Sequence, residues 1–121
     1  MRETELAEYK KSWHKRKQKE KVDLERRFKR ARKLAQECAK KLRKEYDAVA
    51  VYLIGSAVFS KRFNPRSDID LMVKGLPDEK YFKALKDCWD LLPPDLELDL
   101  IPWEDAPEKL KKKALENGEK L

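Results

Sequence analysis

Residues 48–74 read AVAVYLIGSAVFSKRFNPRSDIDLMVK, and the fold is decided here. The opening AVAVYLI (48–54) is β-branched and apolar on both faces, the pattern of a buried central strand. It stops at Gly55-Ser56. Residues 57–63 fit one short helix, and Asn64-Pro65-Arg66-Ser67 is turn chemistry. DIDLMVK (68–74) then alternates. Asp68, Asp70 and Met72 fall on one face, and Ile69, Leu71 and Val73 on the other.

Working outward toward the N-terminus, residues 3–46 contain neither Pro nor Gly, and strong helix formers dominate. Leu24, Phe28, Ala31, Ala35, Cys38, Leu42 and Tyr46 recur at steps of three and four, one helical stripe. A second stripe runs Leu6, Tyr9, Trp13. Between the two, HKRKQKEK (14–21) offers nothing to bury. The packed helix is therefore expected to begin near Val22, with residues 1–21 a basic, lightly docked helical extension and residues 22–121 the domain proper. Toward the C-terminus, 78–92 read as a helix with Phe82, Leu85, Trp89 and Leu92 inward, ended by Pro93-Pro94. LELDLI (96–101) alternates again, setting Leu96, Leu98 and Leu100 opposite Glu97, Asp99 and Ile101. A last helix over 107–117 is closed by Gly118. The expected fold is α+β: a small mixed sheet of three strands, helices largely on one side, and the acids on the open face.

Two carboxylates at i and i+2 on a strand share a face, where their oxygens can converge on a hard cation. Asp99 lies on another strand, also opposite a row of leucines. If the two strands are neighbours, Asp68, Asp70 and Asp99 cluster, and three like charges repel unless cations bind between them. That is the logic of two-metal phosphoryl transfer. Gly55-Ser56 supplies a complementary half. A strand that ends in Gly-Ser and turns into a short helix exposes backbone N–H groups and a hydroxyl to phosphate oxygens. Lys61 and Arg62 follow it, as a reach toward the γ-phosphate or as plain surface charge.

The net charge of +7 is unevenly placed. Residues 1–48 hold 18 Lys/Arg and 9 Asp/Glu, whereas 49–121 hold 12 and 14. The basic segment reads as a solvated helix face or as a surface for nucleic acid or an acidic partner. No aromatic interleaving or base-reading motif accompanies the charge, so nucleic acid is not expected as the primary partner. AVAVYLI, the longest apolar run, is far too short to cross a bilayer, and the first residues hold no apolar signal core. Cys38 and Cys88 form no Cys-x-x-Cys pair and fall on apolar helix faces, so a reducing cytoplasm is expected. His14, the single histidine, lies in the polar extension and leaves no basis for a histidine triad or zinc site. Trp13 and Tyr9, ahead of the packed helix, mark a surface for a partner or for self-association through the N-terminal helix.

The run GSAVFSKRFNPRSDIDLMV (55–73) resembles the signature of the DNA polymerase beta-like nucleotidyltransferases: strand, Gly-Ser, short helix, Ser-Asp-x-Asp-Leu, then a third Asp on a later strand, matched by Asp99. The length and the LENGEKL tail make the chain most similar to the minimal nucleotidyltransferases, which pair as antitoxins with small helical HEPN-type toxins. Two departures touch the phosphate loop. Ser60 stands where the family usually has glycine, and the eleven residues between Ser56 and Asp68 are one more than the commonest interval. The resemblance implies that Gly55 and Ser56 hold the triphosphate of ATP. It implies that Asp68 and Asp70 bind two magnesium ions, and that Asp99 binds the catalytic metal and helps deprotonate the acceptor hydroxyl. The implied reaction transfers AMP to a hydroxyl, a tyrosine of the partner toxin in the antitoxin branch. The alternatives are an antitoxin that acts by binding alone and transfer to a small-molecule acceptor such as an aminoglycoside.

Overall fold

A computed structural model describes residues 2–121; Met1, the first residue of the expected extension, lies outside them. Helix α1 (Glu3–Tyr46) leads into strand β1 (Ala50–Ile54). A 3₁₀ turn (Gly55–Val58) and a loop connect it to β2 (Ile69–Lys74). Helix α2 (Tyr81–Trp89), β3 (Leu98–Pro102), α3 (Glu108–Asn117) and β4 (Glu119–Lys120) complete the chain. The sheet order is β3-β2-β1-β4, with β2 and β3 parallel and the other two pairings antiparallel.

The mixed sheet is as expected, but it has four strands, not three. The added strand carries no apolar alternation to announce it. Glu119 and Lys120 pair with Leu53 and Tyr52, and the Leu121 N–H donates to the Val51 carbonyl at 2.8 Å. Gly118 makes this return feasible. A Cβ there would stand 2.5 Å from the Ala114 carbonyl oxygen and 3.0 Å from that of Leu53.

One face of the sheet presents Val51, Leu53, Ile69, Leu71, Val73, Leu98 and Leu100, which pack with Ala31, Ala35, Cys38 and Leu42 of α1 and with Ala84 and Cys88 of α2. All are buried, each large aliphatic contributing roughly 1.5–3 kcal/mol. Small residues on both helices allow close approach, and the Cys38 thiol lies 3.8 Å from the Cys88 carbonyl oxygen. The inward face of α2 therefore differs in part from the expected one. Leu85 and Leu92 pack on the core as expected, but Tyr81, Ala84 and Cys88 join them there in place of Phe82, which is 80% exposed, and Trp89, which is 53% exposed.

The other face, which holds the acids, is not open along its whole length. Tyr52, Ile54, Met72 and Ile101 form a second apolar surface on it, covered by Leu110 and Ala114 of α3 and by Trp103. Helices thus lie on both sides, because Met72 and Ile101 continue the acid-bearing face in apolar form. The segment expected to be helical over 57–63 is instead the 3₁₀ turn Gly55–Val58 followed by tight turns. The first helix runs unbroken through Val22. Residues 2–23 are all exposed, and Leu24 is the first residue of the helix to be half-buried. No described helix is long and apolar enough to cross a membrane.

Gly118→Ala is expected to destabilise the chain by about 1–3 kcal/mol, the scale of an overpacked contact that has to be relieved by backbone movement. Urea unfolding followed by circular dichroism measures it. An unchanged midpoint would mean that β4 contributes nothing to the folded state.

Candidate functional site

The register sets the site. Ile54 on β1 pairs with Asp70 on β2, and Asp70 pairs with Asp99 on β3. The next row on the same face is Tyr52, Met72, Ile101. The expectation that β2 and β3 are neighbours holds, and it brings Asp70 and Asp99 side by side. Asp70 is half-buried and Asp99 exposed. Burial first, then the Asp99 and Asp68 charges, push Asp70 from the usual 3.8 up to about 6.

Asp68 lies just ahead of β2 and is held from behind. Its Oδ1 accepts the Glu97 N–H at 3.1 Å and stands 3.8 Å from an Arg27 guanidinium nitrogen. The same guanidinium donates to the Ser67 carbonyl at 3.0 Å and pairs with Asp95 at 3.1 Å. The loop ahead of it is self-bonded: the Asn64 N–H donates to the Ser67 hydroxyl at 2.9 Å, and the Asn64 side chain accepts the Arg66 N–H at 2.8 Å. Both contacts fall on one oxygen of Asp68, so Oδ2 is left uncommitted by them. Among the described residues no three His, Cys, Asp or Glu side chains reach a metal-ligating arrangement. The hard-oxygen pair Asp70 and Asp99 fits two positions around a divalent cation, with Asp68 close at hand.

Gly55 ends β1 at φ +75°, a backbone setting open to glycine. A Cβ there would stand 2.7 Å from Oδ2 of Asp70. Glycine thus lets the turn lie directly on the carboxylate and leaves a small cradle beside it. Ser56 follows, half-buried in the same turn. Arg32 of α1 fixes this turn from below. It donates to the Ala57 carbonyl at 3.2 Å and pairs with Glu119 of β4.

A cleft of about 590 Å³ opens here. Its floor is Ile54, Asp70 and Ile101; one wall is Gly55, Phe59 and Arg62, the other Leu110, Lys113 and Asn117 of α3. Neither Arg62 nor Lys113 forms an ion pair among the described residues. Two cations beside a glycine turn suit a polyanion. Lys61 points elsewhere, into a hollow against Lys21, Leu24, Glu25 and Phe28 of α1. Sequence reading missed Arg27, Arg32, Lys113 and Asn117. The two arginines carry no local signal within so basic a helix, and the α3 residues enter only because that helix folds back over the acid face.

The raised Asp70 value has a sign for stability. In the unfolded chain the carboxyl titrates near its usual value, so between about pH 4 and 6 the folded state holds a proton that the unfolded state has lost. Stability falls as pH rises through that window, and the full penalty is present above it. In metal-free buffer Asp70→Asn is expected to raise stability at pH 7 by about 1–2 kcal/mol, allowing for solvent screening of a half-buried group. The gain should vanish near pH 4. Urea midpoints of both proteins at the two pH values measure it, and equal gains at both would assign the effect to something other than this charge.

Residues 36–121 match the family described as polymerase beta, nucleotidyltransferase. No curated protein matches the chain. The fold is similar to that of a chain in the crystal structure of a mutant MntA-HpeT toxin–antitoxin, at 21% identity over 71% of this chain and 70% of that one, with a TM-score of 0.58. It is also similar to one in a toxin–antitoxin crystal structure with AMP-PNP, at 21% identity over 69% of each chain, with a TM-score of 0.56. The strand ending in Gly55-Ser56, the paired acids beyond it and the match over most of the chain agree, and the protein belongs to the polymerase beta nucleotidyltransferase family.

Proposed function

We propose that this chain transfers AMP from ATP to a hydroxyl, with a tyrosine of a small helical HEPN-type toxin as the acceptor, and so acts as an antitoxin in the cytoplasm. The observation that carries the reading is the cleft in which the Gly55 turn, Arg62 and Lys113 face Asp70. Further support comes from the fold it shares with chains of toxin–antitoxin structures, one of which contains AMP-PNP. Residues 22–121 form the transferase domain in this reading, and 1–21 its extension.

The residues divide the work by charge. Backbone N–H groups of Gly55 and Ser56 and the Ser56 hydroxyl hold phosphate oxygens, while Arg62 and Lys113 offset the charge of the triphosphate. Asp68, Asp70 and Asp99 would hold magnesium, which when bound offsets phosphate charge and lowers the pKa of the acceptor hydroxyl. The acceptor oxygen bonds to the α-phosphorus, its proton passes to Asp99, and pyrophosphate leaves. Arg27 and Arg32 act as positioning residues: one steadies Ser67 and Asp68, the other the turn after Gly55.

Calorimetry with ATP tests the binding half. Affinity should depend on magnesium, and Ser56→Ala should weaken it by about 1–2 kcal/mol, the worth of one charge-assisted hydrogen bond, with the thermal melt unchanged. Equal binding with and without magnesium would remove the two-metal reading. The transfer half is tested with labelled ATP and the product of the neighbouring reading frame. Asp68→Asn combined with Asp70→Asn should abolish labelling while a pull-down of the partner persists. Should that variant still silence the partner fully, complex formation suffices and the binding-only reading replaces transfer.

A further inference from the structure

Asp70 and Asp99 are neighbours in the sheet, yet they open into different hollows. Asp70 floors the cationic cleft. Asp99 lines a separate groove of about 450 Å³ along the outer edge of β3, walled by Trp89, Leu92, Pro93, Leu96 and Glu97. The two hollows are opposite in character: one holds Arg62 and Lys113, the other an aromatic and aliphatic wall with two carboxylates on its rim. Neither Glu97 nor Asp99 has an ion-pair partner among the described residues.

The groove lies on a sheet edge, yet it is closed to a docking strand. The Ile69 N–H bonds to the Glu97 carbonyl, so in the parallel ladder the carbonyls of Leu98 and Leu100 turn away from β2. Both are already taken. The Trp89 indole donates to Leu98 at 2.9 Å and the Tyr81 hydroxyl to Leu100 at 2.6 Å. Strand addition needs those acceptors. Side-chain insertion does not, and the same hydrogen bond pins the half-exposed Trp89 ring in place as a ready stacking surface.

We propose that this groove is the acceptor subsite, and that its occupant is a tyrosine on a partner protein segment flanked by basic residues. The proposal rests on the transferase reading of the adjoining cleft. The ring stacks on Trp89 against Leu92 and Pro93, the hydroxyl donates to Asp99, and a neighbouring lysine or arginine meets Glu97. Nucleotide and acceptor then reach the acid pair from separate sides, and neither substrate has to cross the other's path.

The probe is a pentapeptide with one tyrosine flanked by lysines, titrated into the full chain while the indole N–H signals of its three tryptophans are followed by NMR. Saturable movement of the Trp89 signal, with Trp13 and Trp103 still, is expected. A glutamate-flanked peptide should bind about tenfold more weakly, and a phenylalanine peptide about fivefold more weakly, having no proton to donate to Asp99. Trp89→Ala should weaken the lysine-flanked peptide about tenfold. Glu97→Lys, an exposed change that spares the core, should do the same and keeps the test standing if the first variant fails to fold. Both variants should bind magnesium-ATP as the parent does. Movement of Trp13 or Trp103 instead, indifference to the peptide's charge or hydroxyl, no saturable binding, or tighter binding of an aminoglycoside than of the peptide would each overturn the proposal. If the parent binds the peptide at Trp89 but not magnesium-ATP, the transferase reading falls and the groove stands as a tyrosine-peptide site.

Discussion

Asp70 and Asp99 are forced together by a parallel register, and much of the surrounding structure answers to that pairing. Two carboxylates on adjacent strands repel, and the burial that the sheet imposes on Asp70 sharpens the repulsion. The fold closes no ion pair on either carboxylate among the described residues, although Arg62 and Lys113 line the cleft beside Asp70. It sends two arginines of α1 behind the strands instead, Arg27 to Ser67, Asp68 and Asp95, and Arg32 to the turn after Gly55 and to Glu119. The charge strain therefore stays concentrated at the surface where a ligand can meet it. In the proposed reading, binding and not folding supplies the missing countercharge.

The helix α1 serves both halves of the arrangement. Its buried stripe backs the sheet, while Arg27 and Arg32, on its flank, reach the loop before β2 and the turn after β1. Positional accuracy in the site is thus borrowed from the longest element of the chain. Gly55 adds a further constraint, since the turn and the Asp70 carboxylate occupy space that a single methyl group would deny them.

Strong local patterns made much of this legible in the sequence. AVAVYLI, the alternation of DIDLMVK and LELDLI, and the stripe from Leu24 to Tyr46 each announce burial on their own, and period two sets Asp70 and Asp99 each opposite an apolar row, their meeting being conditional on the two strands lying side by side. What escaped were features with no local period. β4 is two charged residues long and exists because Gly118 lets the chain pass Ala114 and Leu53. Leu85 and Leu92 pack on the core as their pattern indicates, but hydrophobicity also points to Phe82 and Trp89, whereas close packing against α1 selects the small residues Ala84 and Cys88. Asp68 shares the parity of Asp70, yet one of its two carboxylate oxygens is held by Arg27 and the Glu97 backbone, contacts spanning 41 and 29 positions of chain.

The unbroken course of α1 through Val22 has a consequence in helix–coil terms. An isolated helix carries the cost of its first turn before propagation brings any return. Here the turns packed on the sheet serve as that nucleus, so the roughly six bare turns ahead of Leu24 need only propagate outward. Their sequence suits this, free of Gly and Pro and rich in Lys, Glu and Arg, with a Lys17–Glu20 pair along the way. The bare half is consequently a one-dimensional chain of equilibria anchored at one end, melting back from the far tip a residue at a time while the anchored half unfolds with the domain.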